Sequence, residues 1–324
     1  MSPQGRSVVV AIGGNALSPA GESASVANQF RHTRESMEPI VNLALQGWRI
    51  AVVHGNGPQV GDELQRSEVA RSRMEQLPLG ILVAATAGWI GYMIQQSLQN
   101  ALDAAGSDRR VVTLITQALV DPDDPSVREP VKFIGRAIRP GVAEELREEG
   151  IRIEADSRGN LRRRVPSPVP VRIGESGMVA ELVARGDIVI AAGGGGIPVY
   201  RDPQLGLEGV DAVVDKDRAA ALLGHEIGAA ILLILTDVDG VYENWRTDDA
   251  RLVSRMTASE AGALLASGAL GAGSMGPKVE AAIHFVEGGG ERAIIAALHD
   301  GPAGLAGTSG TTVTPDRIPS GGFE

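Results

Sequence analysis

The 324-residue sequence contains no cysteine, which excludes disulfide staples and thiolate metal sites. No apolar run is long enough to cross a bilayer, and the first residues, Met1 to Ser7, lack the apolar core of a signal peptide. Basic residues are outnumbered: 30 Lys and Arg against 40 Asp and Glu give a net charge of -10. Such a chain has no basic field with which to bind nucleic acid generally, although local lysines and backbone amides can still hold an anion. Aromatics amount to only 3%. The expected partners are therefore small molecules, with neither nucleic acid nor membrane, and the expected address is the cytoplasm.

What the sequence has in quantity is glycine, 42 residues, within a chain that is 43% hydrophobic and has a mean hydropathy of +0.02. These are the proportions of a globular α/β protein with many tight turns and small residues where helices meet a sheet. Short β-branched runs alternate with longer helical patterns. Val8 to Ile12, Arg49 to His54, Val111 to Ile115, Ile188 to Ala192, Ile231 to Leu235 and Arg292 to Ala296 read as strands. The stretches from about Asn28 to Leu45, from Gln59, from Leu79 to Ala101, from Asp217 to Gly224 and from Lys278 to Glu287 read as helices. Thr257-Ala-Ser-Glu260 has capping-box spacing, and Pro277 suits a first helical turn. This alternation predicts a mainly parallel sheet with helices on both faces.

From Asp121 to Arg172 the alternation stops and Pro, Arg, Asp and Glu dominate, with one helical stretch near Gly141 to Glu149. The segment reads as an insertion, either a lid over a site or a solvated loop, and the lid is the preferred reading. The main domain is expected over 1–314, with 121–172 as the inserted subdomain and 315–324 as a loose tail.

Three strands end in glycine turns: Gly13-Gly14-Asn15, Gly55-Asn56-Gly57, and Gly193 to Gly196 with Gly194 and Gly195 at its centre. Ligands of parallel sheets bind beyond the carboxyl ends of the strands, where glycine lets backbone N–H groups approach an anion closely. The familiar fingerprints nevertheless fail. Gly55 to Gly61 has one residue too many for a dinucleotide motif. In Gly271 to Lys278, Pro277 separates the glycine from the lysine of a would-be P-loop, and Val279 replaces its hydroxyl residue.

Lys278 would stand at a helix N-terminus, where a cation opposes the helix dipole by roughly 0.3–1 kcal/mol. That misfit becomes sensible if an anion binds there. Asp215-Lys216-Asp217 is either part of the same site or a solvated charge cluster. Asp237-Val238-Asp239-Gly240 and Tyr242 form a turn after a strand. They lack the later ligands of a calcium loop and could instead wall a nucleotide pocket. His225-Glu226 lacks the second histidine of a zinc helix, Gly307 to Gly310 lacks the spacing of a nucleophile elbow, and His54 reads as structural.

Taken together, Ala11 to Ala16, His54 to Gly61, Val165 to Pro168, Gly193 to Pro198, Val214 to Asp217 and Gly273 to Lys278 resemble the amino acid kinase superfamily, and within it the carbamate kinases. The resemblance runs from Val8 to Val313. It implies a three-layer αβα sandwich with a mainly parallel central sheet and a small protruding lid subdomain. It also implies reversible phosphoryl transfer between ATP and carbamate, with Mg²⁺ carried by the nucleotide and no dedicated metal site. By this resemblance Lys216 and Lys278 contact the transferring phosphoryl group, Asp217 orients both, and Lys132 reaches the acceptor from the lid. Gly13, Gly14, Asn15, Gly55, Asn56 and Gly57, with Gly194 and Gly195, shape the acceptor and phosphate site. Asp237, Val238, Tyr242, Gly273, Ser274 and Met275 belong to the nucleotide side. A homodimer and an ATP-forming role in arginine metabolism are implied too.

The acceptor side departs from the family pattern at Gly80, Ala87 and Phe133. A different small carboxylate as acceptor, or a nucleotide-binding regulator without catalysis, are the alternative readings.

Overall fold

The structure, a computed structural model, describes residues 5–19, 21–156, 158–245, 247–270 and 275–316. Its centre is an eight-stranded sheet in the order Arg255–Thr257, Thr311–Thr314, Arg292–Ala297, Ile231–Thr236, Ser7–Ile12, Arg49–His54, Ile188–Ile190 and Val111–Thr113. The last six run parallel; Thr311–Thr314 turns against Arg292–Ala297 and carries Arg255–Thr257 alongside it.

Alternation along buried strands sends successive side chains to opposite faces. Val9, Ala11, Ala51, Val53, Leu232 and Ile234 enter one core, while Val8, Val10, Ile12, Ile50, Val52 and Leu233 enter the other. On the first face the helices Lys216–Glu226 and Met275–Glu287 contribute mostly small residues, Ala219, Ala220, Ala281 and Ala282, with Phe285 filling between them. On the second, Leu79–Ala104 and Glu38–Leu45 bring Ile40, Leu43, Ile90, Ile94 and Leu98. The expected three-layer αβα sandwich with a mainly parallel sheet is present. Among the described residues no helix is long and apolar enough to cross a membrane.

The helix expected from Asn28 to Leu45 is two helices, Val26–Glu35 and Glu38–Leu45. Pro39 sits in the first turn of the second, where its missing N–H costs nothing, whereas inside one continuous helix it would remove a bond. Thr257 and Glu260 do form the reciprocal capping box. Pro277 lies in the first turn of Met275–Glu287. The beginning of the expected loose tail is tied down, because Asp316 accepts Ser259 N at 2.9 Å and Ser259 Oγ at 2.6 Å. Residues 317–324 lie outside the described residues.

Segment 121–172 builds a three-stranded antiparallel sheet from Lys132–Ile134, Leu161–Val165 and Ile153–Ala155, with the helix Pro140–Glu148. Its far end, Pro170–Ile173, joins a four-stranded sheet with Gln117–Val120, Ile197–Asp202 and Gly206–Gly209. A third apolar cluster of Val60, Leu79, Leu82, Ile134, Val165 and Val213 seats the small sheet on the body. Gly135 N donates to Gly57 O at 3.1 Å, and Arg136 reaches Asp62 at 3.2 Å and Ser18 Oγ at 3.0 Å. The inserted strands thus stand directly over the second glycine turn.

Candidate active site

Because Ser7–Ile12 pairs in parallel with both Arg49–His54 and Ile231–Thr236, Ile12 lies opposite His54 and Leu235. The turns that follow these strands share one edge of the sheet, and direct contacts link them. A side chain at Gly55 would put its Cβ 2.9 Å from Gly14 N and 3.1 Å from the Lys216 Cδ, so only glycine allows the two turns and the lysine stem to meet.

The third turn is built from backbone that side chains rarely adopt. Ala192 and glycines 194, 195 and 196 have φ of 47°, 68°, 96° and 89°. A Cβ on Gly194 would fall 2.2 Å from Asn56 Nδ2, and one on Gly195 would fall 2.4 Å from Val214 O. Asn56 in turn donates to Thr86 Oγ1 at 2.9 Å. A contiguous rim therefore runs from Gly14 through Gly55, Asn56 and Gly194 to Val214, the residue before Asp215. Gly13 closes the other side, 3.9 Å from Leu235 O by the same measure, and Asn15 is exposed in the short helix Gly14–Leu17.

The lysines converge on this rim. Lys216 opens the helix Lys216–Glu226, and its Nζ pairs with one carboxylate oxygen of Asp217. Lys278 Nζ donates to the other oxygen at 3.3 Å. One carboxylate thus spans two ammonium groups, with Asp217, Lys278 and Lys216 side chains only 3%, 8% and 11% exposed. Burial lowers the Lys216 pKa, and the neighbouring Lys278 charge pushes the same way, while Asp217 opposes both. Lys132, from the inserted sheet, pairs with Asp215. The Asp215 side chain also caps the helix by accepting Asp217 N at 2.8 Å and Arg218 N at 3.3 Å. The reading of Asp215 to Asp217 as a solvated charge cluster does not survive this burial.

A compositional signal missed in the sequence marks the same residues. Of the thirty Lys and Arg residues in the chain, only Lys132, Lys216 and Lys278 are lysine. Everywhere else the basic residue is arginine, and all three lysines meet at one edge of the sheet. A compact ammonium on a flexible stem, rather than a planar five-donor guanidinium, is used only here.

His54 is completely buried and its Nδ1 lies 3.2 Å from Gly55 O. Burial lowers its pKa to about 4, against the Gly55 and Ala87 carbonyls, which favour the proton. It is a neutral structural group under the second turn. The three departures also have places. Phe133 lies beneath the guanidiniums of Arg164 and Arg162, 4.8 and 5.9 Å from its ring centroid, as packing within the inserted sheet. Ala87 packs against the Gly193 turn, and a Cβ on Gly80 would meet only Val210 O at 3.4 Å.

The nucleotide-side residues are less tightly gathered. Asp237 and Val238 follow the strand Ile231–Thr236 at the same edge, and Asp237 receives a bond from Thr236 Oγ1 at 3.1 Å. Tyr242 donates to Asp239 at 2.7 Å and lies 5.1 Å from the Trp245 ring. Met275 starts the helix that carries Lys278 and packs on the first core. Gly273 and Ser274 lie outside the described residues.

Comparison with known proteins agrees with this arrangement. Residues 6–297 match the model of the amino acid kinase family. The chain is 41% identical over 314 residues to the carbamate kinase of Pyrococcus furiosus, covering 96% of this chain and 100% of that protein. It is 45% identical over 309 residues to the carbamate kinase of Halobacterium salinarum, covering 95% and 98%. Among solved structures, the carbamate kinase from Giardia lamblia bound to AMP-PNP superimposes with a TM-score of 0.87 at 36% identity, over 98% of this chain and 100% of that one.

Proposed function

The chain belongs to the amino acid kinase family and within it to the carbamate kinases, and on that premise we propose how its residues carry the reaction. The reaction is reversible phosphoryl transfer between ATP and carbamate, giving ADP and carbamoyl phosphate. The observation that carries the assignment is the convergence of the chain's three lysines, two of them bridged by one buried carboxylate, beside the glycine rim.

Phosphoryl transfer needs little covalent help from a protein; it needs the two oxygens in line and the charge on the equatorial oxygens neutralised. Lys216 and Lys278 hold the transferring group from two sides, and Asp217 fixes the angle between them. Gly14, Gly55, Asn56 and Gly194 leave backbone and amide donors facing the phosphates, with Gly13, Asn15, Gly57 and Gly195 completing the rim. Lys132 meets the acceptor from the lid formed by 121–172, a subdomain of a single 1–314 domain. Carbamate is already an anion, so no general base is required, in keeping with the neutral, buried His54. Asp237, Val238, Tyr242 and Met275 line the adenosine side.

Mg²⁺ enters as part of the nucleotide substrate. Both carboxylates of the cluster are engaged, Asp215 by Lys132 and two amides, Asp217 by two lysines. The donor set therefore suits a metal held by phosphate oxygens and water, which adds charge neutralisation between the β- and γ-phosphates. The same reading has the enzyme work in the cytoplasm as a homodimer, in the ATP-forming direction of arginine metabolism.

A panel assay tests the acceptor. ADP release from Mg·ATP is measured with carbamate, acetate, aspartate and glutamate as acceptors, and carbamate should be preferred. Preference for another acid would transfer the same machinery to a different substrate. Binding without any turnover would leave only a nucleotide-binding regulator.

A further inference from the structure

Asp215 stands outside the roles assigned above, yet among the described residues its side chain joins the inserted sheet, through Lys132, to the helix bearing Lys216 and Asp217. One of its carboxylate oxygens accepts the backbone N–H groups of Asp217 and Arg218, and the other pairs with Lys132. The lid is also anchored further along, by Gly135 on Gly57, Arg136 on Asp62 and Ser18, Arg163 on Glu68 and Glu149 on Arg71. Lys132 itself lies in the strand Lys132–Ile134 at the sheet's edge, paired on one side with Leu161–Val165. Its side chain is 28% exposed, so backbone pairing places the residue without fixing the ammonium.

We propose that Asp215 is a positioning residue for Lys132, holding the lid lysine at a set place relative to the helix that carries Lys216 and Asp217. A lysine stem has four rotatable bonds, and ordering it at the moment of binding weakens whatever ligand does the ordering. An ion pair already in place removes that cost. Burial opposes ionisation of Asp215, but the charge and hydrogen bond of Lys132, the charge of Lys216 and the Asp217 amide outweigh it, so the carboxylate stays charged. The inference rests on the reading that Lys132 meets the acceptor.

The test is steady-state kinetics of ATP formation from ADP and carbamoyl phosphate for Asp215→Asn, Lys132→Met and the double variant. Asparagine caps a helix about as well as aspartate, so the cap survives while the charge pair is lost. Asp215→Asn should raise KM for carbamoyl phosphate roughly three- to tenfold, with KM for ADP unchanged. In the Lys132→Met background the same substitution should add nothing, because it acts only through the lysine. Asp215→Ser, which also keeps a capping oxygen, serves if the asparagine variant folds poorly, and Asp215→Glu should restore part of the effect.

An Asp215→Asn effect of equal size with and without Lys132 would overturn the proposal in favour of a purely structural cap. Wild-type kinetics in Asp215→Asn alongside an impaired Lys132→Met would overturn it while leaving the role of Lys132 intact. An unimpaired Lys132→Met would remove both.

Discussion

Replacing Asp217 by asparagine isolates the charge that spans the two transfer lysines. The carboxylate is 3% exposed and meets Lys216 on one oxygen and Lys278 on the other. Removing one member of a buried ion pair leaves the partner uncompensated and destabilises by about 3–5 kcal/mol. Asparagine keeps the volume and one acceptor, which places the loss near the lower end. For a chain of this size each kcal/mol moves the melting temperature by about 2 °C, so a fall of about 6 °C is expected without ligand. The nucleotide should then do part of what Asp217 did, because its phosphates are anions that can meet the two ammonium groups. ADP should therefore raise the melting temperature of the variant more than that of the wild type, even as kcat drops about 10²- to 10³-fold from lost orientation. Differential scanning fluorimetry with and without saturating ADP reads both effects. An unliganded melting temperature equal to the wild type's, or a smaller ADP shift in the variant, would refute the reasoning.

Three further outcomes follow from the same geometry. Lys216→Arg and Lys278→Arg keep the charge, and arginine serves at every other Lys or Arg position of the chain except Lys132, yet each should cost about 10²-fold or more in kcat because the planar guanidinium cannot share Asp217 in the same way; near-normal turnover would show that charge alone suffices. Gly55→Ala pushes a methyl against Gly14 N and the Lys216 stem, so about 1–3 kcal/mol of overpacking should appear in denaturant titrations, with a larger proportional loss in kcat than in stability. His54, held neutral to about pH 4, leaves the unfolded chain binding a proton that the folded one refuses. Its contribution is present in full above the ordinary histidine pKa and lost as pH falls from about 6.5 to about 4, by about 3 kcal/mol in all. Melting curves over that range should flatten in His54→Asn, and an unchanged slope would contradict the assignment.

Much of the site was legible because its parts are local signals. A glycine after a β-branched strand reports a turn, and a lysine at a helix N-terminus reports an unfavourable charge that needs a partner. Gly14, Gly55 and Lys278 could be read in that way. The pairing of Lys132 with Asp215 could not, since 83 positions separate them and only the packing of the inserted sheet brings them together. That sheet was itself hidden. Its strands are as short as three residues, and Leu161–Val165 carries three consecutive arginines, whose stems and charges are satisfied by Glu68, Glu154, Asp156 and the Phe133 ring rather than by an apolar face. Phe133 shows the converse. A departure from the family pattern that pointed to the acceptor, it has in the fold a second place, as the platform for Arg162 and Arg164. The scarcity of lysine was present in the composition throughout, but pooling it with arginine concealed that three residues out of thirty had been singled out.

The central claim is that the lysine cluster transfers a phosphoryl group between carbamoyl phosphate and ADP. Coupled luminescence detection of ATP, with purified protein, Mg·ADP and carbamoyl phosphate, measures it directly. Sustained ATP formation by the wild type, falling by about 10²- to 10³-fold in Lys278→Met with the fold intact by circular dichroism, is the result expected. Equal ATP formation by the two proteins, or none by the wild type, would contradict the account.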